Sequence, residues 1–319
     1  MAEQPPLLAT PSEPTMYFIG VRTGGSAIHQ IFPRWAECLA IEGGLVGVDI
    51  PLSAEPEKYR SVVRHIQSEK LARGALVTSH KVHLYQSSQD MIEHSDRYAS
   101  HLSEASCLAK EEGELHAFAF DPITTIRALK EMRHEPFPDK AEALSLGAGG
   151  AGLALAAGSL LELSPAERPS RVHLVDREPD RLAEVEKALK SLGCDLRSVE
   201  FHRTSNPQEN DGIIARLPPE SVIVNATGMG KNTPGSPVTI RVDYPEMALV
   251  WELNYRGPRP FLYDAMAKAE ERNLLVEDGW RLFVINWGLI ISKIFGRPLQ
   301  PGDLAKLAEI AEPFKPSAD

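Results

Sequence analysis

The sequence predicts an α/β protein built from two consecutive domains, each with a largely parallel sheet. Three observations lead to this fold class. Short apolar runs alternate with longer amphipathic runs along the chain, and a glycine-rich turn joins two such runs near the middle. In addition, the chain of 319 residues is longer than a domain with a single hydrophobic core usually is. The predicted helices and strands of each half of the chain support this fold class.

The first half alternates between strand-like and helix-like segments. Two helices separate its first three strands; Ser26 would cap the earlier helix, and "ASCLAKEEGELHAFAF" further on suggests a β-hairpin. Asp121 as N-cap and Pro122 at the first helical position predict the start of another helix. In chain order these segments are "MYFIGV", "SAIHQIFPRWAECLAIE", "GLVGVDI", "EPEKYRSVVRHIQSEKLA", "GALVTS", the hairpin and "DPITTIRALKEM".

A proline-rich and charged stretch, "RHEPFPDKAE", then interrupts the pattern, and the alternation restarts after it. Strands are predicted at "ALSLGA", "RVHLVD", "VEFHR", "SVIVNAT" and "MALVWELNY". Helices are predicted after the glycine-rich turn and at "EPDRLAEVEKALKSLG", "RPFLYDAMAKAEERN", "GWRLFVINWGLIISKIFG" and "PGDLAKLAEIAE". The expected divisions are a mobile tail (1–15), a substrate-binding domain (16–133), a linker (134–140), a dinucleotide-binding domain (141–290) and C-terminal helices that pack back on the first domain (291–319).

Composition narrows the classes of partner. A formal net charge of -10 argues against a dedicated nucleic-acid binder, and no apolar run is long enough for a membrane span. The histidines show no HxH or HExxH spacing, so we expect no metal site.

The N-terminus lacks a secretory signal, and the cysteines show no CxxC spacing, which together predict a cytoplasmic protein. We expect a small-molecule substrate and a monomer or homodimer. The cysteines are Cys38, Cys107 and Cys194.

The glycine-rich turn "GAGGAG" follows a predicted strand and precedes a predicted helix. In a Rossmann fold, Gly147 would allow the tight turn, Gly149 would let backbone approach a pyrophosphate, and Gly152 would permit close packing of helix on strand. The next strand ends in Asp176, an acid that favours NAD over NADP, while Arg177 beside it could pair with a phosphate. A turn that serves packing alone is the alternative.

Two polar positions follow strand-like runs, where the active sites of α/β proteins gather. His80 and Lys81 follow "GALVTS", and Asp121 follows "AFAF". A lysine beside an acid in a closed cleft can give or take a proton while the carboxylate orients it. The plain alternatives are a surface lysine and a helix N-cap, and His80 could lie at the mouth of the cleft.

The chain resembles shikimate dehydrogenases over nearly its whole length, in the order and spacing of six motifs. "GALVTSHK" stands for GxNVTxPxK, "AFDPITTIRAL" for NTDGxG, "GAGGAG" for the Rossmann glycines and "NATGMGK" for NATxxGM. "DGWRLFVIN" stands for DGxGMLxxQ, and "ELNY" lies where that family has a substrate-facing tyrosine. The resemblance implies an NAD(P)-dependent oxidoreductase, with Lys81 as acid/base and Asp121 as its orienting partner.

The resemblance also implies the remaining site residues. The cofactor would lie against Gly147, Ala148, Gly149, Gly150, Ala151, Gly152, Asp176, Arg177, Asn225, Ala226, Thr227, Gly228 and Gly279. The substrate would lie against Thr23, Ser26, Leu76, Thr78, Ser106, Tyr255 and Asn286.

The departures from the family cluster where it holds its substrate. Leu76 and Ser106 replace asparagines, Asn286 replaces a glutamine, and only Ser26 or Thr23 stands for a pair of serines that grips the carboxylate. A pocket built for hydroxyl groups rejects poorly matched ones strongly, so we expect a small polar cyclic alcohol or ketone other than shikimate. A genuine shikimate or quinate dehydrogenase, and a dinucleotide-binding sensor without turnover, are the alternatives.

Overall fold

A computed structural model of the chain describes residues 8–138, 140–231 and 233–317. Half of the predicted tail, residues 1–7, lies outside the described residues. Residues 8–14 contain no helix or strand, but the Pro14 carbonyl accepts a hydrogen bond of 2.9 Å from the backbone of Gly44. Within the described ranges, no helix combines the length and the apolar character needed to cross a membrane.

Contacts between residues divide the described chain into two compact units. The first unit comprises residues 8–120 and 286–314, and the second comprises residues 121–285 and 315–317. Both units are α/β, as the sequence predicts.

The sheet of the first unit contains six strands in the order β2-β1-β3-β5-β6-β4. The pairings of β1 with β2 and β3 are parallel, as is that of β4 with β6, whereas β5 runs antiparallel to both neighbours. The predicted hairpin is therefore confirmed as β5 and β6, joined through Glu112 and Gly113, both with positive φ. The strands are β1 (Thr15–Gly20), β2 (Gly44–Asp49), β3 (Ala72–Val77), β4 (His94–Ser95), β5 (Cys107–Glu111) and β6 (Glu114–Phe118).

Helices cover this sheet and include one from the C-terminal segment. The indole N–H of Trp35 donates to the carbonyl of Leu307 at 2.9 Å, which fixes the last helix against the first. The expected cap of the first helix is wrong: the helix starts at Ile28, and Ser26 only accepts a long 3.4 Å bond from the Ile28 N–H. The helices are α1 (Ile28–Cys38), α2 (Pro56–Ser68), α3 (Lys81–Ser88), α4 (Arg97–Leu102) and α12 (Asp303–Ala311).

The sheet of the second unit is entirely parallel, with the order β12-β11-β10-β7-β8-β9. The chain winds outward in one direction from β7 to β9 and in the other from β10 to β12, so the strand order reverses between β7 and β10. This is the doubly wound arrangement expected of a Rossmann domain. The strands are β7 (Ala143–Leu146), β8 (Val172–Asp176), β9 (Val199–Arg203), β10 (Val222–Asn225), β11 (Leu249–Glu252) and β12 (Leu275–Glu277).

The helices of the second unit begin with α5, which corrects the expected boundary. The division falls before Asp121 rather than at residues 134–140, because α5 packs on α6. Gly158 makes this approach close: a Cβ there would lie 2.6 Å from the carbonyl oxygen of Pro122. The helices are α5 (Asp121–Met132), α6 (Gly150–Leu161), α7 (Pro179–Ser191), α8 (Pro207–Ile214), α9 (Pro260–Met266), α10 (Ala269–Arg272) and α11 (Trp280–Ile294), whose residues from Asn286 onward belong to the first unit.

Candidate active site

The glycine-rich turn joins β7 to α6 at the point where the strand order reverses. Gly147 has φ +104°, and a Cβ at this position would lie 2.8 Å from the backbone of Ala226. A Cβ on Gly152 would lie 2.2 Å from the carbonyl oxygen of Gly147. The predicted turn and packing roles of these two glycines are confirmed. Gly149 and Gly150 face open space.

A cavity of about 280 Å³ opens beyond the carboxyl ends of these strands. Ligands bind at this place in open α/β sheets. Six predicted cofactor residues line it: Gly147, Gly149, Asp176, Arg177, Ala226 and Thr227. The other predicted cofactor positions lie outside this lining, namely Ala148, Gly150, Ala151, Gly152, Asn225, Gly228 and Gly279.

Asp176 ends β8 and is 8% exposed. One of its oxygens accepts a 2.9 Å hydrogen bond from the backbone N–H of Ala148, and the other accepts a 3.1 Å bond from Glu178. The carboxylate therefore holds the glycine-rich turn in place as well as lining the cavity. The guanidinium groups of Arg177 and Arg181 lie beside it and are more exposed than the carboxylate. That of Arg181 is 3.6 Å from the carboxylate.

Several polar residues of the cavity were missed by the sequence analysis. Thr204, Ser205 and Asn206 follow directly after β9, and Asn210 and Arg181 lie on the adjoining helices. The position of the first three was a usable signal, because polar residues that follow a predicted parallel strand share one edge of the sheet.

A buried polar network lies at the carboxyl ends of β10 and β11. The Asn225 amide donates to Glu252 at 2.7 Å, and Asn254 donates to the same carboxylate through its backbone N–H and its amide. The side-chain oxygen Oδ1 of Asn225 accepts bonds from the backbone N–H and the hydroxyl of Thr227, an Asx-type turn. Burial raises the pKa of Glu252 to about 7, against the lowering effect of these hydrogen bonds.

Tyr255, the predicted substrate-facing tyrosine, lies against two aromatic rings. Its ring centroid is 5.5 Å from that of Trp280 and 5.2 Å from that of Phe283. The Lys231 ammonium lies 5.8 Å from the Tyr255 ring centroid, and burial, followed by the charge of Arg256, lowers the pKa of Lys231.

Gly279 is required by packing alone, whatever its role toward a cofactor. A Cβ at this position would lie 1.9 Å from the carbonyl oxygen of Leu253, a distance that no side chain tolerates. The glycine is therefore explained by the close approach of the chain before α11 to the end of β11.

Lys81 is the first residue of α3, shortly after β3 ends, and belongs to the first unit, whereas Asp121 begins α5 in the second unit. His80 is 1% exposed and hydrogen-bonded to the Ile50 carbonyl and the Tyr59 hydroxyl. Burial lowers the pKa of His80. The expectation that His80 lies at an open mouth is wrong, because its ring is part of the core.

The polar residues expected to face the substrate differ in how many of their hydrogen-bonding groups are already used within the protein. The Thr23 hydroxyl donates to Asp49 at 2.7 Å, and its hydrogen bonds hold the pKa of that carboxyl below its usual value. The Ser106 hydroxyl donates to the Phe118 carbonyl and accepts from Phe120.

Three further residues of the first unit were predicted to face the substrate. The Thr78 hydroxyl donates to the carbonyl of Ile19 at 3.2 Å, and Leu76 is buried in β3. The side-chain carbonyl oxygen of Asn286 is buried with no hydrogen-bond partner among the described residues. Of these side chains, Asn286 has the clearest unused acceptor.

Comparison with curated proteins finds shikimate dehydrogenases. No protein-family model matches the chain. A shikimate dehydrogenase (NADP(+)) from Bacillus cereus strain AH187 is 23% identical over 241 residues, which cover 76% of this chain and 79% of the relative.

Solved structures share the fold along the chain. Shikimate 5-dehydrogenase from Listeria monocytogenes, in complex with shikimate and NAD, superposes with a TM-score of 0.73 at 17% identity, covering 93% of this chain and 96% of its own. Quinate dehydrogenase from Corynebacterium glutamicum, in complex with NAD, gives 0.72 at 16% identity, covering 94% and 99%. The 5-ketofructose reductase of Gluconobacter sp. strain CHM43 gives 0.67 at 19% identity, covering 94% and 99%. The chain is thus similar in sequence to a shikimate dehydrogenase over three quarters of its length, and it shares its fold with solved shikimate and quinate dehydrogenases.

Proposed function

We propose that the protein interconverts a secondary alcohol and a ketone on a small polar cyclic substrate, with NAD(P) as hydride carrier. The observation that carries this proposal is the cavity where the strand order of the second sheet reverses, lined by the glycine-rich turn and by Asp176. The sequence similarity to shikimate dehydrogenases supports the same chemistry.

The cofactor would be held by the second unit. The pyrophosphate would lie at the start of α6, where Gly149 and Gly150 leave space and the helix N-terminus offers free N–H groups. NAD is the preferred form, because the Asp176 carboxylate in the cavity wall repels a 2′-phosphate, while Arg177 and Arg181 allow NADP to bind. When bound, the cofactor supplies the acceptor and donor of hydride at its nicotinamide.

The proton would be handled by Lys81, with Asp121 orienting it. In the direction of oxidation, Lys81 takes the proton of the substrate hydroxyl. Support comes from the position of Lys81 just after β3 and from the matching family motifs around both residues. A sensor that only binds dinucleotide needs neither residue, which is the argument against that alternative.

The substrate would differ from shikimate. The buried Leu76 offers no hydrogen bond where the resemblance expects an asparagine, and the proton of the Thr23 hydroxyl is already donated to Asp49. The second candidate function, a genuine shikimate or quinate dehydrogenase, is favoured by the similarity to the Bacillus cereus enzyme and by the unused acceptor of Asn286.

The experiment is a spectrophotometric assay of NAD and NADP reduction with shikimate, quinate and simpler cyclic alcohols. We expect turnover with a cyclic alcohol and a higher kcat/KM for NAD than for NADP. Ordinary efficiency with shikimate would establish the second candidate instead, and absence of hydride transfer with every alcohol would favour the sensor.

The proposed roles of Lys81 and Asp121 make a separate prediction. Lys81→Ala should lower kcat by roughly 10²- to 10⁴-fold, the usual contribution of a general acid or base, and Asp121→Asn should lower it less. Lys70→Ala, at an exposed lysine before β3, is the matched control and should leave kcat unchanged. Full activity of Lys81→Ala would remove the mechanism while leaving the cofactor site standing.

We also propose that the protein acts in the cytoplasm as a monomer or homodimer. The cysteines Cys38, Cys107 and Cys194 form no disulfide bond, as suits a reducing compartment.

A further inference from the structure

Two histidines and a carboxylate converge at the free edge of the second sheet. Glu200 and His202 lie two residues apart on the edge strand β9, so their side chains share one face, and Glu200 is the register partner of His173 on β8. Nδ1 of His173 lies 2.9 Å from Nε2 of His202, and Oε2 of Glu200 lies 3.5 Å from each of these nitrogens.

These separations are close to those of a zinc site, with the two histidine nitrogens roughly 0.4 Å nearer to each other than ideal geometry requires. A tetrahedral Zn²⁺ with bonds of about 2.0–2.1 Å keeps its ligand atoms roughly 3.3 Å apart. The circle through the three atoms has a radius of about 1.9 Å, so a point at bonding distance from all three exists without any movement of the backbone.

The residues behind this triangle are those that zinc sites use to orient their ligands. The Nε2 of His173 lies 2.8 Å from a carboxylate oxygen of Glu142, so its N–H donates there, and the lone pair of Nδ1 accepts from Nε2 of His202, whose proton a metal ion would replace. The second oxygen of Glu200 is bonded to the Arg171 guanidinium, which leaves Oε2 directed at the histidines.

The burial of the three ligand side chains and the charges around them also suit a single metal ion with one coordination position open to water. The His173 side chain is 8% exposed, that of His202 24% and that of Glu200 41%, so the ion would be reached from one side, where water completes the coordination. The nearby charges are those of Glu142 and Glu200, Arg171, which is paired, and Arg216, which is exposed and screened by solvent.

We propose that His173, His202 and Glu200 bind a zinc ion that fixes the edge strand β9 to β8, with Glu142 as the residue that orients His173. The same strands continue into Asp176 and Thr204, which line the cavity of the second unit. The ion would thus stabilise this wall of the cavity, whatever substrate the protein uses.

The test is a calorimetric titration of the EDTA-treated full-length protein with Zn²⁺, together with Co²⁺ absorption and the melting temperature. We expect one tightly bound Zn²⁺, a tetrahedral Co²⁺ spectrum and a raised Tm. His202→Gln and Glu200→Gln should each weaken Zn²⁺ binding at least 100-fold, and Glu142→Gln about 10- to 100-fold. Circular dichroism establishes that each variant is folded, and two independent ligand variants guard against the failure of one.

The matched control removes the cluster of His94, Glu114 and the half-buried His116, the other group in the described chain with ligand atoms close together. The double variant His94→Ala/His116→Ala should keep the tight Zn²⁺. The proposal is overturned by absence of saturable Zn²⁺ binding, by binding that survives both His202→Gln and Glu200→Gln, or by binding that the control variant loses.

Discussion

Glu252 shows how one buried side chain can set the response of a fold to pH. The carboxyl group is fully buried at the end of β11, where three hydrogen bonds from Asn225 and Asn254 stabilise its charge and burial opposes it. Burial dominates, so the group binds its proton more tightly in the folded protein than in the unfolded chain.

This tighter binding gives the second unit a pH-dependent stability. The pKa of Glu252 rises from 4.5 to about 7 on folding, so its contribution is greatest below about pH 4.5 and is lost as the pH rises through 7. The loss amounts to about 3 kcal/mol at most. In urea unfolding at pH 5 and pH 8.5, Glu252→Gln should lose less stability than the wild type over this interval.

Glu270→Gln, at an exposed position of α10, is the control and should follow the wild type. Equal pH dependence of wild type and Glu252→Gln would contradict the assignment.

Single residues also show what a sequence can and cannot reveal about a site. Gly147 and Gly152 were identified because the turn demands glycines at a fixed spacing, and Asp176 because it ends the next strand. The proposed zinc ligands could not be predicted from the sequence, because His173 and His202 lie on different strands and only pairing between those strands brings them together.

Among the secondary-structure elements, the packing of α5 on α6 explains why the boundary between the two units precedes Asp121. Gly158 is buried in the C-terminal half of α6, and a methyl group there would lie 2.6 Å from the Pro122 carbonyl and 2.7 Å from the Ile126 side chain. The two helices approach this closely only because α6 has no side chain at the crossing.

Gly158→Ala should therefore lower the free energy of unfolding by about 1–3 kcal/mol, as overpacking does. Gly212→Ala in α8 is the matched control, since its Cβ would meet only an Arg216 atom at 3.8 Å. The control should be neutral or stabilise by up to about 1 kcal/mol through helix propensity. Equal effects of the two substitutions in urea unfolding would refute the packing argument.

Periodicity located the long elements well and the short ones poorly. The segment "VEFHR" coincides with β9, and every other predicted strand overlaps an observed one. The short strands β4 and β12 were missed because two or three residues give no alternation, and α8 because its sequence "PQENDGII" is largely polar. The two strands are defined by the strands they pair with, β4 by β6 and β12 by β11.

At the scale of the whole molecule, the first unit is discontinuous in sequence, whereas most of the second is a single stretch. The first unit needs its C-terminal segment for its core: the Phe18 ring lies 4.9 Å from that of Trp287, and Phe32 lies 6.1 Å from Phe295. Leu307 supplies the acceptor for the Trp35 indole.

A chain truncated after Ile285 should keep the second unit folded and lose the first. Hydrogen exchange followed by mass spectrometry should show protection of β7–β11 close to the wild type and rapid exchange in β1–β3. Protection of β1–β3 in the truncated chain would show that the N-terminal residues fold alone.

The split in the first unit also sets an order of events on the ribosome. The first 120 residues emerge long before the helix that carries Trp287, because the whole of the second unit must be translated in between. At ordinary translation rates this delay lasts roughly 10–30 s, ample time for the intervening stretch to fold. During that interval the N-terminal segment lacks the rings of Trp287 and Phe295, which contact Phe18 and Phe32 in the finished fold, so its apolar side chains are the ones that a chaperone would cover.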